Sequence, residues 1–576
     1  MKRLDDGKRW VIAPTDPAVV ARVASACALP LPIAAVLVSR GYAEPAAVEA
    51  FLDARLSGLA DPLALPGMGA AAERILSALE HHEPVVVFGD YDVDGISSTA
   101  LLVLVLREMG GQVEPFLPHR VDDGYGLGVE ALEKCRTAHK PRLIVTVDCG
   151  TGSVEAVEEA TKQGVDVVVT DHHEAGGPVA PAVAVVNPKL GSDEGPWILA
   201  GVGVAFKLCH ALLKMAREKG LDIPDVDLRH YLDLVALGTV ADIVPLTGEN
   251  RALVRRGLER LNRTDSLGLR ALVRAAGITD TLEAHHVGYM LGPRLNAAGR
   301  LGDAQLALDL LLTNDPGTAE SIAGQLDKTN RERQAIERET SDAAVVELDQ
   351  RFDPEKHFAV VVARKGWHPG VVGIVASRLC ERYGRPAIVI ACDEEGKGKG
   401  SCRSIEGFNI ADALGECSDL LLRCGGHAMA AGLEVDVAQL DAFTARFNEV
   451  AAASLRGKDL RRTLRVDAWI DLAEADEALL SGMARLRPFG HGNPGPIWGV
   501  RGVRVVSSPR ILKEKHVKFT VASGSVEREC IGFGLGHREI GEGLLDLAFQ
   551  LNMNHFRGRD TLQLSLKDFR PQGEEG

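Results

Sequence analysis

From residue 84 onward, short continuous apolar runs alternate with amphipathic stretches. PVVVFG, RLIVTVD, VDVVVTD and PAVAVVN are the runs, and ISSTALLVLVLREMG and SVEAVEEATKQG lie between them. Val/Ile runs separated by helices predict an α/β fold with a parallel sheet covered on both faces. Residues 1 to about 80 read as small amphipathic helices with Pro/Gly breaks, and 201–262 as mainly helical. Residues 303–350 predict long helices, the second strongly charged, which suits either a connector or a solvated surface helix. FAVVVAR (358–364) opens a second strand–helix region that runs to about 455. After RGKDLRR (456–462) come RVVSSPRILK, HVKFTVAS, RECIGFG, LDLAFQLNMNHF and TLQLSLKDF, short segments whose even spacing predicts a small antiparallel barrel.

With 576 residues the chain is too long for one core, and three or four domains are expected. The composition is that of a soluble globular protein, and no run of 18 apolar residues predicts a membrane span. MKRLDDGKRWVIAP lacks the apolar centre of a signal peptide, so a cytoplasmic protein is expected. Ten cysteines stand singly, without zinc-type spacing, and read as reduced, mostly buried thiols. A net charge of −15 argues against binding polyanions over the whole surface, while leaving room for a local basic groove and for acidic metal ligands.

The chemistry concentrates in FGDYDVDG. Asp90, Asp92 and Asp94 alternate directly after an apolar run, so in extended backbone they share one face. The next run ends in Asp148, and the one after in Asp171-His172-His173, while DLVALGTVADIVPL adds Asp242. Ligands bind at the carboxyl ends of the strands of such sheets. A single Asp there is more often a helix cap or turn former than a ligand. Several crowded together without a Lys or Arg would protonate or repel unless a cation sits among them. Four or five Asp with one His suit two divalent ions, Mg²⁺ or Mn²⁺, the imidazole tilting the choice to Mn²⁺. Two such ions roughly 3.5–4 Å apart can share a nucleophile and clamp an in-line displacement at phosphorus. Asp148 is expected to bridge, with Asp92 completing one ion and Asp94, His172 and Asp242 the other. His173 either orients the site or stabilises developing charge.

GDYDVDG, VDCG, TDHH and GTVAD, in this order, resemble the four motifs of the DHH phosphoesterases. PHRVDDGYGL, GVGVAFKL, LGPRLNAAGRLGDA, GWHPGVVGIVASRL, RCGGHAMAAGL and RPFGHGNPGPIW narrow the resemblance to the RecJ family of bacterial single-strand-specific 5′→3′ DNA exonucleases, over nearly the whole chain from about residue 60. The resemblance implies metal ligation by Asp92, Asp94, Asp148, His172 and Asp242, with Asp90 and His173 in support. Phe88 stands where many superfamily members carry a histidine, so the first metal site is expected to be weaker or completed by water or Asp90. The family pattern also implies an N-terminal helical segment (1–60), a DHH domain (61–262), a helical connector (263–350), a DHH-associated domain (351–458) across a cleft, and an OB-like barrel (459–576).

By the same resemblance Ser401, Arg403 and Arg120 are expected to form a 5′-phosphate pocket. GKGKGSCRS supplies glycines that would let backbone amides approach a phosphate, and Arg403 could grip it bidentately. His427 is placed near the scissile phosphate, and His368, Arg294 and Asn296 are weaker candidates for strand or active-site contacts. On the barrel, Lys513, Lys515, His516, Lys518 and Phe519 suit a single strand, cations following the backbone and the aromatic ring stacking on bases.

The expected activity is release of 5′-mononucleotides from single-stranded DNA with Mn²⁺ or Mg²⁺, the cleft admitting one strand and not a duplex. The implied setting is DNA repair and recombination, including mismatch repair and base excision repair. A single-strand-binding protein and a helicase are the expected partners, and the protein is expected to be a monomer. The alternatives are a DHH enzyme for short oligonucleotides or cyclic dinucleotides, which would not need the barrel, and a silent DNA-binding scaffold, against which the intact acidic set counts.

Overall fold

In a parallel strand buried on both faces, alternate residues must feed two different cores. Val85 and Val87 join a core with Met68, Ile75, Leu101 and Leu212, whereas Val86 and Phe88 join one with Leu132, Val157 and Val169. This computed structural model describes residues 7–119, 126–191, 198–556 and 559–574. They divide into two compact units, residues 44–330 with 485–495, and residues 7–43, 331–484 and 496–574.

The first unit is built on a five-stranded sheet in the order Val113–Phe116, Val85–Gly89, Leu143–Val147, Asp166–Thr170, Ala184–Val186. Every pairing is parallel, as the Val/Ile runs predict. The helix Val93–Glu108 follows the second of these strands and is buried almost all round, which its continuous apolar sequence requires. Helices Gly201–Lys219 and Leu232–Ala241 pack against it. The residues expected to begin a connector are helical, but Leu269, Leu272, Leu295, Leu308 and Leu311 are buried in the same core as Val85. The charged helix Pro316–Arg351 spans 36 residues, and the boundary between the units falls within it.

The second unit carries a five-stranded sheet in the order Arg423–His427, Ala430–Asp436, Lys397–Arg403, Ala387–Cys392, Val360–Lys365. Only the last two strands are parallel, joined by the crossover helix Pro369–Tyr383. The tail forms a seven-stranded sheet in which the long hairpin Leu545–Phe556/Arg559–Pro571 inserts between Trp498–Val505 and Val526–Gly532. That insertion makes the Val526–Gly532 and Arg559–Pro571 pairing parallel, where an all-antiparallel barrel was expected. His516–Ser523 also reaches back to Trp498–Val505, Val521 opposite Val505.

The start of the chain departs from its helical expectation. Arg9–Ile12 is a strand, parallel to Thr463–Val466, and the Trp10 indole donates to Asp568 Oδ2 at 2.8 Å. Four residues of RWVI are too few to show a period, and their pairing partner lies more than 450 positions away. The ten cysteines are free thiols, eight of them buried. No single helix among the described residues is long and apolar enough to cross a membrane.

Candidate functional site

The strand Val85–Gly89 ends at the acidic motif, and the turn that follows is tight. Asp92 caps the helix Val93–Glu108, its Oδ1 accepting from the amides of Asp94 at 2.9 Å and Gly95 at 3.1 Å. A Cβ at Gly95 would lie 2.5 Å from the Asp90 carbonyl oxygen, so only glycine closes this turn. Asp94 is buried and receives the amides of Gly201 at 2.6 Å and Val202 at 2.9 Å, which open the helix Gly201–Lys219. Asp148 follows the neighbouring strand Leu143–Val147 with φ at +62°, a backbone conformation that non-glycine residues seldom adopt. A Cβ at Gly201 would lie 2.5 Å from Asp148 Oδ1, so the absence of a side chain at 201 makes room for the Asp148 carboxylate while the backbone amide holds Asp94.

His172 Nε2 lies 3.1 Å from Asp148 Oδ1, 3.5 Å from Asp242 Oδ2 and 3.7 Å from Asp94 Oδ2. Three overlapping sets of donors lie within 4.8 Å of one another: Asp94, His172 and Asp242; Asp90, Asp92 and Asp148; Asp148, His172 and His173. Asp148 belongs to two of them, which is the geometry a shared carboxylate needs. Among the described residues no lysine or arginine forms an ion pair with Asp92, Asp94, Asp148 or Asp242.

The electrostatics follow from that crowding. Burial, then the neighbouring carboxylates, push Asp94 and Asp148 well above the usual carboxylate range. Burial and Asp92 push Asp242 up to about 7. Burial and the adjacent His173 bring His172 down to about 3, so its imidazole is neutral and offers a lone pair. Asp171 is buried too, yet the His173 ring and the Thr151 amide hold it at about 2. It accepts from His173 Nδ1 at 2.8 Å and thereby fixes that ring. Among the described residues, buried Asp148 Oδ1 and His172 Nε2 find no hydrogen-bond partner. A buried orphan acceptor costs roughly 1–3 kcal/mol, and the donor set fits divalent cations that would relieve it.

The structure sorts the remaining candidates. Phe88 is fully buried and stacks on Phe116 at 5.3 Å, so it serves the sheet's core. Asn296 Oδ1 accepts from the Val93 amide at 3.2 Å, which brings it to the acidic turn. Arg294 is held by Asp327 at 2.9 Å and by the Met290 carbonyl at 2.7 Å, a structural engagement. Arg120 lies outside the described residues. Asp171 and Gly201 were missed as functional positions; TDHH contains the signal for the first, whereas the second needs the packing.

In the other unit Arg403 Nη1 donates to Ser401 Oγ at 3.2 Å, and the two share one strand face. Gly373, on the second turn of the helix Pro369–Tyr383, would place a Cβ 3.0 Å from Ser401 Oγ and 3.3 Å from Arg403 Nη2. Burial lowers the Arg403 pKa, and no carboxylate pairs with it among the described residues. The expected phosphate-cradling glycines are corrected. Lys397–Arg403 is a strand laddered on both sides, so its amides are committed, and Gly398 and Gly400 make room for Ile390 and Leu433. His368 caps its helix, accepting from Gly370 at 3.0 Å. His427 is exposed where its hairpin turns, its Nδ1 accepting from Met429.

On the barrel, Lys513 and Lys515 are exposed in a turn, and Lys518 pairs with Glu529 at 2.9 Å. Phe519 is a further correction. It is 2% exposed and meets Phe569 edge-on, because it shares the inward face with Val517 and Val521. Among the described residues, Phe533 is the phenylalanine here that reaches solvent, 60% exposed and 5.2 Å from the ring of His516.

Comparison with known proteins agrees with this layout. Family models match in order: the DHH family N-terminal domain over residues 84–239, the DHHA1 domain over 355–453 and the RecJ OB domain over 466–568. The single-stranded-DNA-specific exonuclease RecJ of Bacillus subtilis is 38% identical over 570 residues, covering 97% of this chain and 70% of that protein. The crystal structure of Thermus thermophilus RecJ in complex with Mn²⁺ superposes with a TM-score of 0.84 at 34% identity, covering all of this chain and 81% of that one. The same protein's complex with Mg²⁺ gives 0.77 at 33% identity, covering 99% and 79%. The chain belongs to the RecJ family of the DHH superfamily.

Proposed function

We propose that this chain is a metal-dependent exonuclease specific for single-stranded DNA that works from the 5′ end and releases 5′-mononucleotides. The observation that carries the reading is the meeting of two clusters, Asp90/Asp92/Asp148 and Asp94/His172/Asp242, where His172 Nε2 lies 3.1 Å from Asp148 Oδ1, with buried donor atoms left unsatisfied. Asp148 would be shared between two cations, with Asp90 and Asp92 on one side and Asp94, His172 and Asp242 on the other. Mn²⁺ and Mg²⁺ are the ions named with the related structures, and the oxygen-rich donor set with one imidazole suits both. When bound, such a pair polarises the scissile phosphodiester and lowers the pKa of the attacking water.

The protein's own groups do the rest. The amides of Gly201 and Val202 hold Asp94, the Gly95 turn holds Asp92, and Asp171 holds His173 where it can stabilise charge developing on phosphorus. Arg403 and Ser401 would bind the 5′-phosphate, since among the described residues no carboxylate pairs with this half-buried guanidinium and it is free to grip an anion. His427 and Asn296 remain candidates for contacts to the strand, and His368 caps the helix beside the phosphate pocket. Lys513, Lys515 and Phe533 on the barrel would follow the single strand beyond the pocket.

The setting we propose is DNA repair and recombination in the cytoplasm, as a monomer, alongside a single-strand-binding protein and a helicase. The test is digestion of a single strand labelled at one end. Release of the 5′-terminal mononucleotide first supports the polarity, and release from the 3′ end first contradicts it.

A further inference from the structure

Asp242 stands at an awkward place in the chain. Its helix ends on it, the Asp242 amide still bonding the Gly238 carbonyl at 2.9 Å. The next residue, Ile243, has φ at +62° and is 68% exposed. A β-branched residue in the left-handed region is strained, and such strain persists only where the surroundings over-determine it. Something must therefore hold the 242–247 turn from its far side.

The segment RLRPFGHGNPG, residues 485–495, does so. It lies in sequence between a helix and a strand of the second unit, yet by its contacts it belongs to the unit that carries Asp242. The His491 carbonyl accepts the Leu246 amide at 2.7 Å. Gly490 is packed so closely that a Cβ would lie 2.6 Å from Leu246 Cδ1. At Gly492, itself at φ +70°, a Cβ would lie 2.8 Å from Pro245 Cβ. The segment is rigid in turn. Buried Asn493 donates to the carbonyls of Leu486 at 2.9 Å and Pro488 at 2.8 Å, and buried Arg251 donates to those of Leu486 and Arg487, each at 2.9 Å. From the opposite side, Asn250 donates to the Pro245 carbonyl at 3.0 Å.

We infer that residues 485–495 are a clamp that keeps the turn after Asp242 in its strained form and so sets the position of the Asp242 carboxylate in the metal centre. Gly492 and Asn493 are positioning residues, since neither touches the reacting atoms. The inference rests on the reading of Asp242 as a ligand.

The test is Mn²⁺ affinity of the full-length protein, read from the electron paramagnetic resonance signal of the free ion. The variants are Gly492→Ala, Asn493→Ala, each combined with Ile243→Asn, and Asp242→Asn as control. Circular dichroism selects folded variants, and Asn493→Ala serves if Gly492→Ala does not fold. Removing a group that orients a ligand lowers metal affinity roughly 10- to 100-fold, and a loss of that size is expected. Binding of a single strand in EDTA should be unchanged. Asparagine tolerates the left-handed region, so Ile243→Asn should recover most of the loss, whereas a general loss of packing would be indifferent to residue 243.

Unchanged affinity in the clamp variants, with weakened binding in Asp242→Asn, overturns the inference and leaves the ligand reading standing. A loss that Ile243→Asn does not recover also overturns it. Wild-type affinity in Asp242→Asn removes the ligand reading, and the clamp inference with it.

Discussion

Nε2 of His172 and Oδ1 of Asp148 lie 3.1 Å apart inside the protein, and among the described residues neither finds a hydrogen-bond partner. A proton on the imidazole would pair them, but burial and His173 hold His172 at about 3, so near neutrality the ring is unprotonated. A divalent cation between them would satisfy both. Asp148→Asn keeps the shape and removes a charge from a crowded site, so the metal-free protein should melt no lower than wild type. Nuclease activity should fall by roughly 10²–10³-fold, the effect of removing one aimed electrostatic group. Thermal melts in EDTA beside single-strand digestion check both halves.

The Asp242 carboxyl, at about 7, gives the metal-free protein a defined pH response. A carboxyl raised in the folded state binds more protons folded than unfolded. Its contribution to stability is therefore full below about 4 and is lost as pH rises to about 7. Asp242→Asn removes that dependence. Between pH 4 and 7 in EDTA, the variant should gain stability relative to wild type as pH rises. A constant difference in unfolding free energy across that range would contradict the burial of the Asp242 carboxyl beside Asp92.

Arg403 lacks a carboxylate partner among the described residues and shares its strand face with Ser401. Hydrogen bonds to a charged group contribute roughly 1.5–3 kcal/mol, so Arg403→Ala should lose about 10- to 100-fold of the preference for a 5′-phosphate over a 5′-hydroxyl. Arg403→Lys should recover only part, because an ammonium cannot bind two oxygens in a fork. Competition between the two substrates in one tube reads the ratio directly.

On the barrel, the two phenylalanines should separate cleanly. Phe533→Ala should weaken single-strand binding by about 1–3 kcal/mol, the worth of a base–aromatic stack, with little change in stability. Phe519→Ala should instead destabilise the fold by about 3–5 kcal/mol through a core cavity. Fluorescence anisotropy and denaturant melts distinguish them.

The parallel sheet and the acidic cluster were legible because both depend on short-range patterns. Val85 and Val87 alternate with Val86 and Phe88, and each carboxylate stands at the end of an apolar run. What was not legible depended on partners distant in the chain. The strand Arg9–Ile12 is defined by Thr463–Val466, and Gly201 matters because its amide holds Asp94 while a Cβ there would strike Asp148. Gly398 and Gly400 suggested a phosphate loop, and only the strands on either side turn them into packing positions. Phe519 was misassigned for a simpler reason: period two places it with Val517 and Val521, facing in.

The most direct test of the metal centre is Mn²⁺ stoichiometry measured with exonuclease activity on the same preparation. The account predicts two bound ions in the wild type, release of 5′-mononucleotides from a single strand, and no release in EDTA. Asp148→Asn should bind fewer ions and release little. Digestion that continues in EDTA, or two ions bound as tightly by Asp148→Asn as by wild type, would contradict it.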